Sequence, residues 1–454
     1  MDNNLINKYN IPGPRYTSYP AVPHWEKEEM NTGEWINTLQ QNFSSFGKPT
    51  ISLYVHLPYC ESLCTFCGCH KRITKNHSVE GPYIDALIRE WELYKGLFPF
   101  EPTIKELHFG GGTPTFFQPD QLVRLVQALF YGQKNDDSSA ELSFEAHPSN
   151  TTEKHLSDLY AVGFRRLSLG IQDYSPHVQQ AIHRIQTFED VALVNNLART
   201  IGYSSISHDL VFGLPKQTIE DISSTVAKTL ILRPDRISLY SYAHVPWIKG
   251  NGQRGFNESD LPVGDEKRAL YNCAKAALEK AGYLEIGMDH FALPNDAMAQ
   301  AFLQKRLHRN FMGYTTQNTS LLIGLGMSAI SDSWFGFAQN DKSVESYISR
   351  VHEGKIPVFR GHLLSAIDVI IRRHILDLMC HFETTFTSDA AMQSIYTSIL
   401  QRLQSMLEDE LITCWGNTLK ISDKGIPFVR NACMAFDQYL TPSDTRKPMF
   451  SQTV

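Results

Sequence analysis

Runs of β-branched and aromatic residues at 51–57, 104–109, 141–146, 166–171, 206–212 and 236–242 alternate with amphipathic helical patterns near 79–96, 118–130, 151–161, 187–200 and 217–231. This alternation constrains the fold more than any other feature. Strands joined by helical crossovers line up in parallel, and the fixed hand of the crossover curls them into a full or partial α/β barrel. Functional loops then belong at the carboxyl ends of the strands. The 454 residues supply enough chain for such a core, and 42% hydrophobic with 20% charged residues is globular composition, which excludes a disordered chain or a coiled coil. The net charge of −6 offers no large basic face for duplex DNA. No apolar stretch is long enough to span a bilayer, and the opening MDNNLINKYN lacks the apolar core of a signal peptide. A cytoplasmic, monomeric protein with no nucleic-acid or membrane partner is expected.

Around this barrel the sequence divides into an arm, a catalytic domain and a tail domain. Residues 1–48 carry Ile11-Pro12-Gly13-Pro14 and an aromatic run to Pro20, and read as an ordered arm over the active site. The catalytic domain is expected over 49–360. It includes a polar, Gly-rich break at 249–263, a helix near 264–281 and apolar runs at 283–292 and 321–331 that extend the sheet. Over 361–454 the pattern predicts a helix from Ile367 to Phe382 and a second over 389–408. A hairpin follows around Gly416-Asn417, then a last helix capped by Ser422-Asp423 and running through Tyr439. The fold expected is α/β: a partial (βα)6 barrel with an extended sheet, an N-terminal arm and a small, mainly helical, winged-helix-like C-terminal domain. With no basic recognition helix, that last domain reads as a lid or packing unit.

Of eight cysteines, four lie within ten residues: Cys60, Cys64, Cys67 and Cys69. A tight cluster in a reducing compartment reads as a metal site rather than a disulfide framework. Cys60-x3-Cys64-x2-Cys67 follows the first strand directly. Three thiolates on one short loop can hold three irons of a [4Fe–4S] cube and leave the fourth iron open. The alternative is zinc with Cys69 as fourth ligand, although zinc sites usually draw on two separated pairs. The second signal is Leu107-His-Phe-Gly110-Gly111-Gly112-Thr113-Pro114-Thr115 after strand two, where three glycines let the backbone approach a ligand closely. Alone, such a loop is also an ordinary strand-to-helix turn. Gly324-x-Gly326-x-x-Ala329 looks like a dinucleotide fingerprint but lacks the strand–helix context that one needs.

Together, Cys-x3-Cys-x-Phe-Cys after a first strand and the triple-glycine loop resemble the radical S-adenosylmethionine (SAM) superfamily. There a cluster-bound SAM is cleaved to methionine and a 5′-deoxyadenosyl radical. The resemblance narrows to the oxygen-independent coproporphyrinogen III oxidases and runs from about residue 8 to the C-terminus. It is carried by Gly13-Pro-Arg-Tyr-Thr-Ser-Tyr-Pro20, Leu53-Tyr-Val-His-Leu-Pro58, Phe66-Cys-Gly-Cys69, Gly213-Leu-Pro-Lys-Gln-Thr218, Tyr242-Ala-His244 and Gly287-Met-Asp-His-Phe-Ala292. Leu307-His-Arg-Asn-Phe311, Gly313-Tyr-Thr-Thr-Gln317, Arg430-Asn-x-Cys-Met434 and Phe436-Asp437 complete it. It implies a radical SAM barrel and an oxidative decarboxylation. The propionates on rings A and B of coproporphyrinogen III become vinyl groups, giving protoporphyrinogen IX for heme synthesis. A reduced donor such as flavodoxin or ferredoxin would feed the cluster.

The resemblance also implies site residues. Cys60, Cys64 and Cys67 would bind the [4Fe–4S] cluster. One SAM would touch Tyr54, Gly111 and Glu145. A second would touch Phe66, Gly112, Thr113, Gln172, Arg184, Asp209, Ala243 and Ile330. Physical chemistry agrees for several: Asp209 and Glu145 sit at strand ends, where they can accept bonds from ribose hydroxyls or an ammonium, and Arg184 can pair with a carboxylate. Two positions depart from the family. His147 stands where aspartate is common, and Met312 stands where glutamine is usual. Arg15 and Met312 are the candidate substrate contacts. Arg165, Arg166, Lys216, Arg306, Arg309, Arg372 and Arg373 are further cations from which partners for four carboxylates would be drawn. The competing readings are a related heme-modifying radical SAM enzyme and a non-enzymatic heme chaperone.

Overall fold

The computed structural model describes residues 3–26, 29–132, 140–246, 253–441 and 449–453. Residues 249–252 of the Gly-rich break therefore lie outside the described residues. A single mixed sheet dominates. Its strands are labelled here β1 (Thr50–Leu57), β2 (Thr103–Gly111), β3 (Glu141–Ala146), β4 (Arg166–Gln172), β5 (Ser205–Phe212) and β6 (Arg236–Ser241). They continue as β7 (Leu284–Ile286), β8 (His290–Ala292), β9 (Leu321–Leu325), β10 (Ile330–Asp332), β11 (Gly336–Asn340) and β12 (Val358–Leu363). The spatial order is β12-β11-β10-β9-β1-β2-β3-β4-β5-β6-β8-β7. From β9 to β6 all neighbours are parallel; the strands outside them are antiparallel. The barrel is not closed, because β1 and β6 each bond an outer neighbour, β9 and β8, instead of one another.

The local causes are visible in the sequence. On β1, Ile51, Leu53, Val55 and Leu57 are fully buried against the helical layer, while Tyr54 and His56 alternate onto the concave face. Three crossover helices, Glu153–Ala161, Phe188–Ile201 and Ile219–Leu232, start at capping boxes. Thr187 and Asp190 close the helix Phe188–Ile201, and Thr218 and Asp221 close Ile219–Leu232. Gly202, left-handed at φ 111°, stops Phe188–Ile201. Both apolar runs expected to extend the sheet are strand pairs. Residues 283–292 form β7 and β8, and 321–331 hold β9 and the start of β10, with a turn between. The Gly324–Ala329 look-alike is the end of β9 and that turn, with Gly326 at φ 98° and no helix after it.

The C-terminal region packs its own core of helices Ala366–His381, Gln393–Glu408 and Val429–Phe436 around a three-stranded sheet, 383–385, 412–415 and 418–421. The last helix differs from the sequence expectation at both ends. Ser422 closes a turn onto Gly425 rather than capping the helix, whose first turn begins only at Ile426. It then ends at Phe436, where Asp437 turns extended.

The arm crosses the concave face of the sheet extension. Trp25 stacks on Phe337 of β11 at 5.3 Å. Tyr16 and Tyr19 are buried in the C-terminal core, and Tyr16 Oη donates to Asp437 at 3.0 Å. Arg430 ties arm and tail together. It donates to the carbonyls of Gly13, Pro14 (3.0 Å) and Gln452 (2.8 Å), beside a β-bridge between Pro12 and Gln452. No helix among the described residues is long and apolar enough to cross a membrane.

Candidate active site

The cysteine loop leaves the carboxyl end of β1 and returns along a short parallel ladder, Tyr59–Cys60 with Arg72–Ile73. Arg72 N donates to Pro58 O at 2.8 Å and Thr74 N to Cys60 O at 2.9 Å, so the base of the loop is pinned. Cys60 Sγ lies 3.3 Å from Thr113 Oγ1, and burial pushes its thiol up to about 11. A hydrogen bond with the Cys69 thiol, with Lys71 and Arg184 nearby, holds Cys67 well below the usual thiol range. Lys71 Nζ donates to the carbonyls of Cys67 (3.1 Å) and Cys69 (3.3 Å). On the other flank Arg184 Nη1 stands 3.8 Å from Cys64 Sγ.

The glycine loop continues the β1–β2 ladder, with Gly112 N bonded to Leu57 O at 2.9 Å and Thr113 N to Tyr59 O at 3.0 Å. There is no room for a side chain here. A Cβ on Gly112 would stand 2.5 Å from Pro58 O and 3.0 Å from Cys60 Sγ. Gly111 has φ 117°, and a Cβ there would strike the His56 ring at 2.8 Å. Its N–H donates to Glu145 Oε2 at 3.2 Å.

Both loops open onto one cavity of about 410 Å³. Cys60, Cys64, Phe66, Cys67, Gly111, Gly112, Thr113, Glu145, Gln172, Arg184, Asp209 and Ala243 all line it. Gln172 ends β4 at φ 71°, a conformation rare for a side-chain-bearing residue, at a register shift of the ladder with β5. Asp209 accepts from Ser168 Oγ at 2.7 Å, and burial pushes its carboxyl up to about 6. Arg184 donates to Gly170 O, while its buried Nε has no partner among the described residues. His147 also lines the cavity; its Nδ1 accepts from Ser149 N at 3.3 Å, capping a short turn as an aspartate carboxylate can. Burial, with Arg184 adding, pushes its imidazole down to about 3, so it is neutral and leaves Arg184 without a carboxylate there.

Four residues singled out from sequence lie elsewhere. Tyr54 sits below the cavity, 3.1 Å from His56 Nδ1 and stacked on His108. Ile330 is two strands from Tyr54, across Gly324, and so groups with Tyr54 rather than with Arg184 and Asp209. Met312 faces a separate interior cavity of about 120 Å³, which Glu145, Asp209 and Tyr240 divide from the main one. Arg15 is ion-paired to Asp289 in an adjoining pocket that shares Ser241 with the main cavity. Most of the wider cation pool is engaged elsewhere: Arg372 pairs with Asp332, Arg166 with Glu141, and Arg309 covers the Tyr314 ring at 4.5 Å. Lys71 and Gln253, which sequence reasoning passed over, line the cavity. The signal for Lys71 was its place at the end of the cysteine motif; Gln253 lies in a stretch legible only as a polar break.

The donor set fits an iron–sulfur cube. Among the described residues no three His, Cys, Asp or Glu side chains converge on one ion position, as zinc would require. A cube instead takes each thiolate on a different iron, which suits three thiols spread around one cavity. The unpartnered Arg184 Nε and the glycine floor fit a closely held ligand that carries a carboxylate, such as SAM.

Comparison with known proteins agrees. The model of the radical SAM superfamily matches residues 54–228. The oxygen-independent coproporphyrinogen III oxidase of Pseudomonas aeruginosa is 38% identical over 459 residues, covering 100% of this chain and 98% of that protein. The Escherichia coli K12 enzyme of the same name is 38% identical over 456 residues, covering 99% and 98%. The solved structure of coproporphyrinogen III oxidase from Escherichia coli, described as a radical SAM enzyme, superposes with a TM-score of 0.89 at 35% identity, covering 97% of this chain and 99% of that one. With its cysteine loop, glycine floor and full-length likeness, the chain belongs to the oxygen-independent coproporphyrinogen III oxidases, a family of radical SAM enzymes.

Proposed function

We propose that the chain oxidatively decarboxylates the ring A and ring B propionates of coproporphyrinogen III to vinyl groups, giving protoporphyrinogen IX without oxygen. One observation carries this reading: three thiols, a side-chain-free glycine floor and a ring of strand-end polar groups face a single cavity. When bound, a [4Fe–4S] cluster and SAM supply the hydrogen abstraction at the propionate β-carbon that no side chain can perform. The protein's part is to bind, orient and exclude solvent. Cys60, Cys64 and Cys67 hold the cluster. Gly112, Thr113 and Phe66 border one SAM, with Arg184 toward its carboxylate, Asp209 toward its ribose and Gln172 and Ala243 on the far wall. Tyr54, Gly111, Glu145 and Ile330 border the other. The arm roofs the concave face and keeps water from the reacting carbon.

The donor of electrons is a small acidic carrier of the flavodoxin or ferredoxin class. The chain works as a cytoplasmic monomer, with neither nucleic acid nor membrane as partner. The test is anaerobic. Reconstituted, reduced protein is given SAM and coproporphyrinogen III, and 5′-deoxyadenosine and porphyrins are quantified. About two deoxyadenosines per protoporphyrinogen IX are expected, one per propionate. SAM cleavage with unchanged porphyrin would overturn the substrate assignment.

A further inference from the structure

A cross-strand row on the concave face joins the SAM-facing part of the sheet to its outer edge. Tyr54 on β1 is in register with Gly324 on β9. The β9–β10 pairing sets Gly324 opposite Ile330, which is in register with Gln339 on β11, and Gln339 with Arg360 on β12. Paired residues share a face, so Arg360 points the same way as Tyr54, four strands and about 19 Å along the sheet. Its Nε bonds Gln339 Oε1 at 2.8 Å, and its guanidinium lies 5.8 Å from the Trp25 ring of the arm. Lys342 follows β11 at the same end of the sheet, with Nζ 5.7 Å from the Phe359 ring. Lys71, at the end of the cysteine loop, folds its Nζ back onto the carbonyls of Cys67 and Cys69.

Lys342 and Arg360 have no acid to balance them, whereas Lys71 stands beside the Cys67 thiol that it helps hold below the usual range. Nearby carboxylates are engaged elsewhere: Asp341 with Arg350 at 2.8 Å, Glu345 with Arg72 at 3.0 Å, and Glu26 with His362 at 2.9 Å. Among the described residues none forms an ion pair with Lys71, Lys342 or Arg360. The crowding is felt at His70, which burial, then Lys342, His56, Arg360 and Lys71, push down to about 4. Lys342 is itself lowered by burial and by Arg360. Like charges gathered without a counter-ion cost stability unless an anion is bound there for part of the working cycle.

We infer that Lys342 and Arg360 form a carboxylate-binding site that holds the unreacted propionates of the substrate while another edge of the macrocycle faces the SAM-binding cavity. This rests on the functional reading above. Two propionates react and two do not, so a tetra-anionic substrate needs cationic anchors away from the reacting carbon. A row about 19 Å long suits a wide, flat molecule held at two edges. The site also gives register: turning the macrocycle to present its second propionate exchanges which carboxylates meet the cations.

The test uses the full-length holoenzyme and a binding probe independent of turnover. Affinity is measured for coproporphyrin III, which has four free carboxylates, and for its tetramethyl ester, which has none. Wild type should favour the acid. Lys342→Gln, at an exposed position, should weaken acid binding about tenfold, the scale of one charge-assisted bond, and leave ester and SAM binding unchanged. Arg360→Gln should do the same, and the double variant more. In turnover the KM for coproporphyrinogen III should rise by a similar factor with kcat within about twofold. Unchanged acid affinity and KM in Lys342→Gln would overturn the inference. So would activity lost with a protein reductant but kept with dithionite, which would mark the patch as a docking site for the electron carrier. If wild type binds coproporphyrin yet never oxidises the porphyrinogen, the functional reading fails while the carboxylate site stands.

Discussion

Arg184 approaches Cys64 with Nη1 3.8 Å from Sγ, and its buried Nε has no partner among the described residues. One guanidinium thus borders both the thiol loop and the open cavity. Arg184→Gln is expected to raise the Kd for SAM about 10- to 100-fold, the worth of a lost charge-assisted bond, while iron and sulfide content stay near wild type. Equilibrium binding of SAM beside an iron assay checks both halves.

Gly112→Ala should act on the cluster rather than on the fold. Its Cβ would meet Pro58 O at 2.5 Å and Cys60 Sγ at 3.0 Å, and the pinned base of the loop has nowhere to move. A folded protein that retains less than about half of its cluster iron is expected from overpacking of this kind. Circular dichroism and iron content measure it.

Met312→Gln should change little. Met312 faces the small interior cavity behind Glu145 and Asp209, not the space between the thiols and Arg184. Cluster content and SAM affinity are expected to stay within about threefold of wild type, the scale of a tolerated swap. A larger change would mean that the interior cavity and the main one act as one site.

Glu90 predicts a pH dependence of stability. This fully buried carboxyl accepts bonds from Gly326 N (2.8 Å), Asn340 Nδ2 (2.7 Å) and Tyr347 Oη (2.7 Å), yet burial pushes it up to about 8. The folded state therefore holds a proton that the unfolded chain has released above about 4.5. The stabilisation is complete below that value and is lost as pH rises through about 8. Thermal midpoints measured between pH 5 and 9 should fall more steeply for wild type than for Glu90→Gln.

Elements whose signal is local were legible in the sequence. The six barrel strands carry β-branched or aromatic runs that alternate with amphipathic helices, and the cysteine loop sits where β1 must end. What was not legible depends on tertiary partners. Gly336–Asn340 lies outside the runs that the sequence marks, yet it is the fully buried β11, because Trp25 of the arm covers one face and the strands β10 and β12 satisfy its backbone. Arg372 read as a solvated or substrate-facing cation; only the fold reveals Asp332 beside it and Trp334 beneath it, 4.3 Å away. Most of the candidate site was legible through its loops, but Ile330, Met312 and Arg15 could be sorted into separate compartments only once strand order was known.

The knot of hydrogen bonds around Arg430 has a consequence for the order of events on the ribosome. Gly13 and Pro14 are translated early, but the guanidinium that holds their carbonyls lies more than 400 residues downstream, separated by 417 and 416 positions. The barrel strands can assemble as they emerge, whereas the Gly13–Pro14 segment of the arm stays unfastened until the tail has left the exit tunnel. The arm is thus made first and fastened at Gly13 and Pro14 last, so the end of the chain decides when its beginning is held.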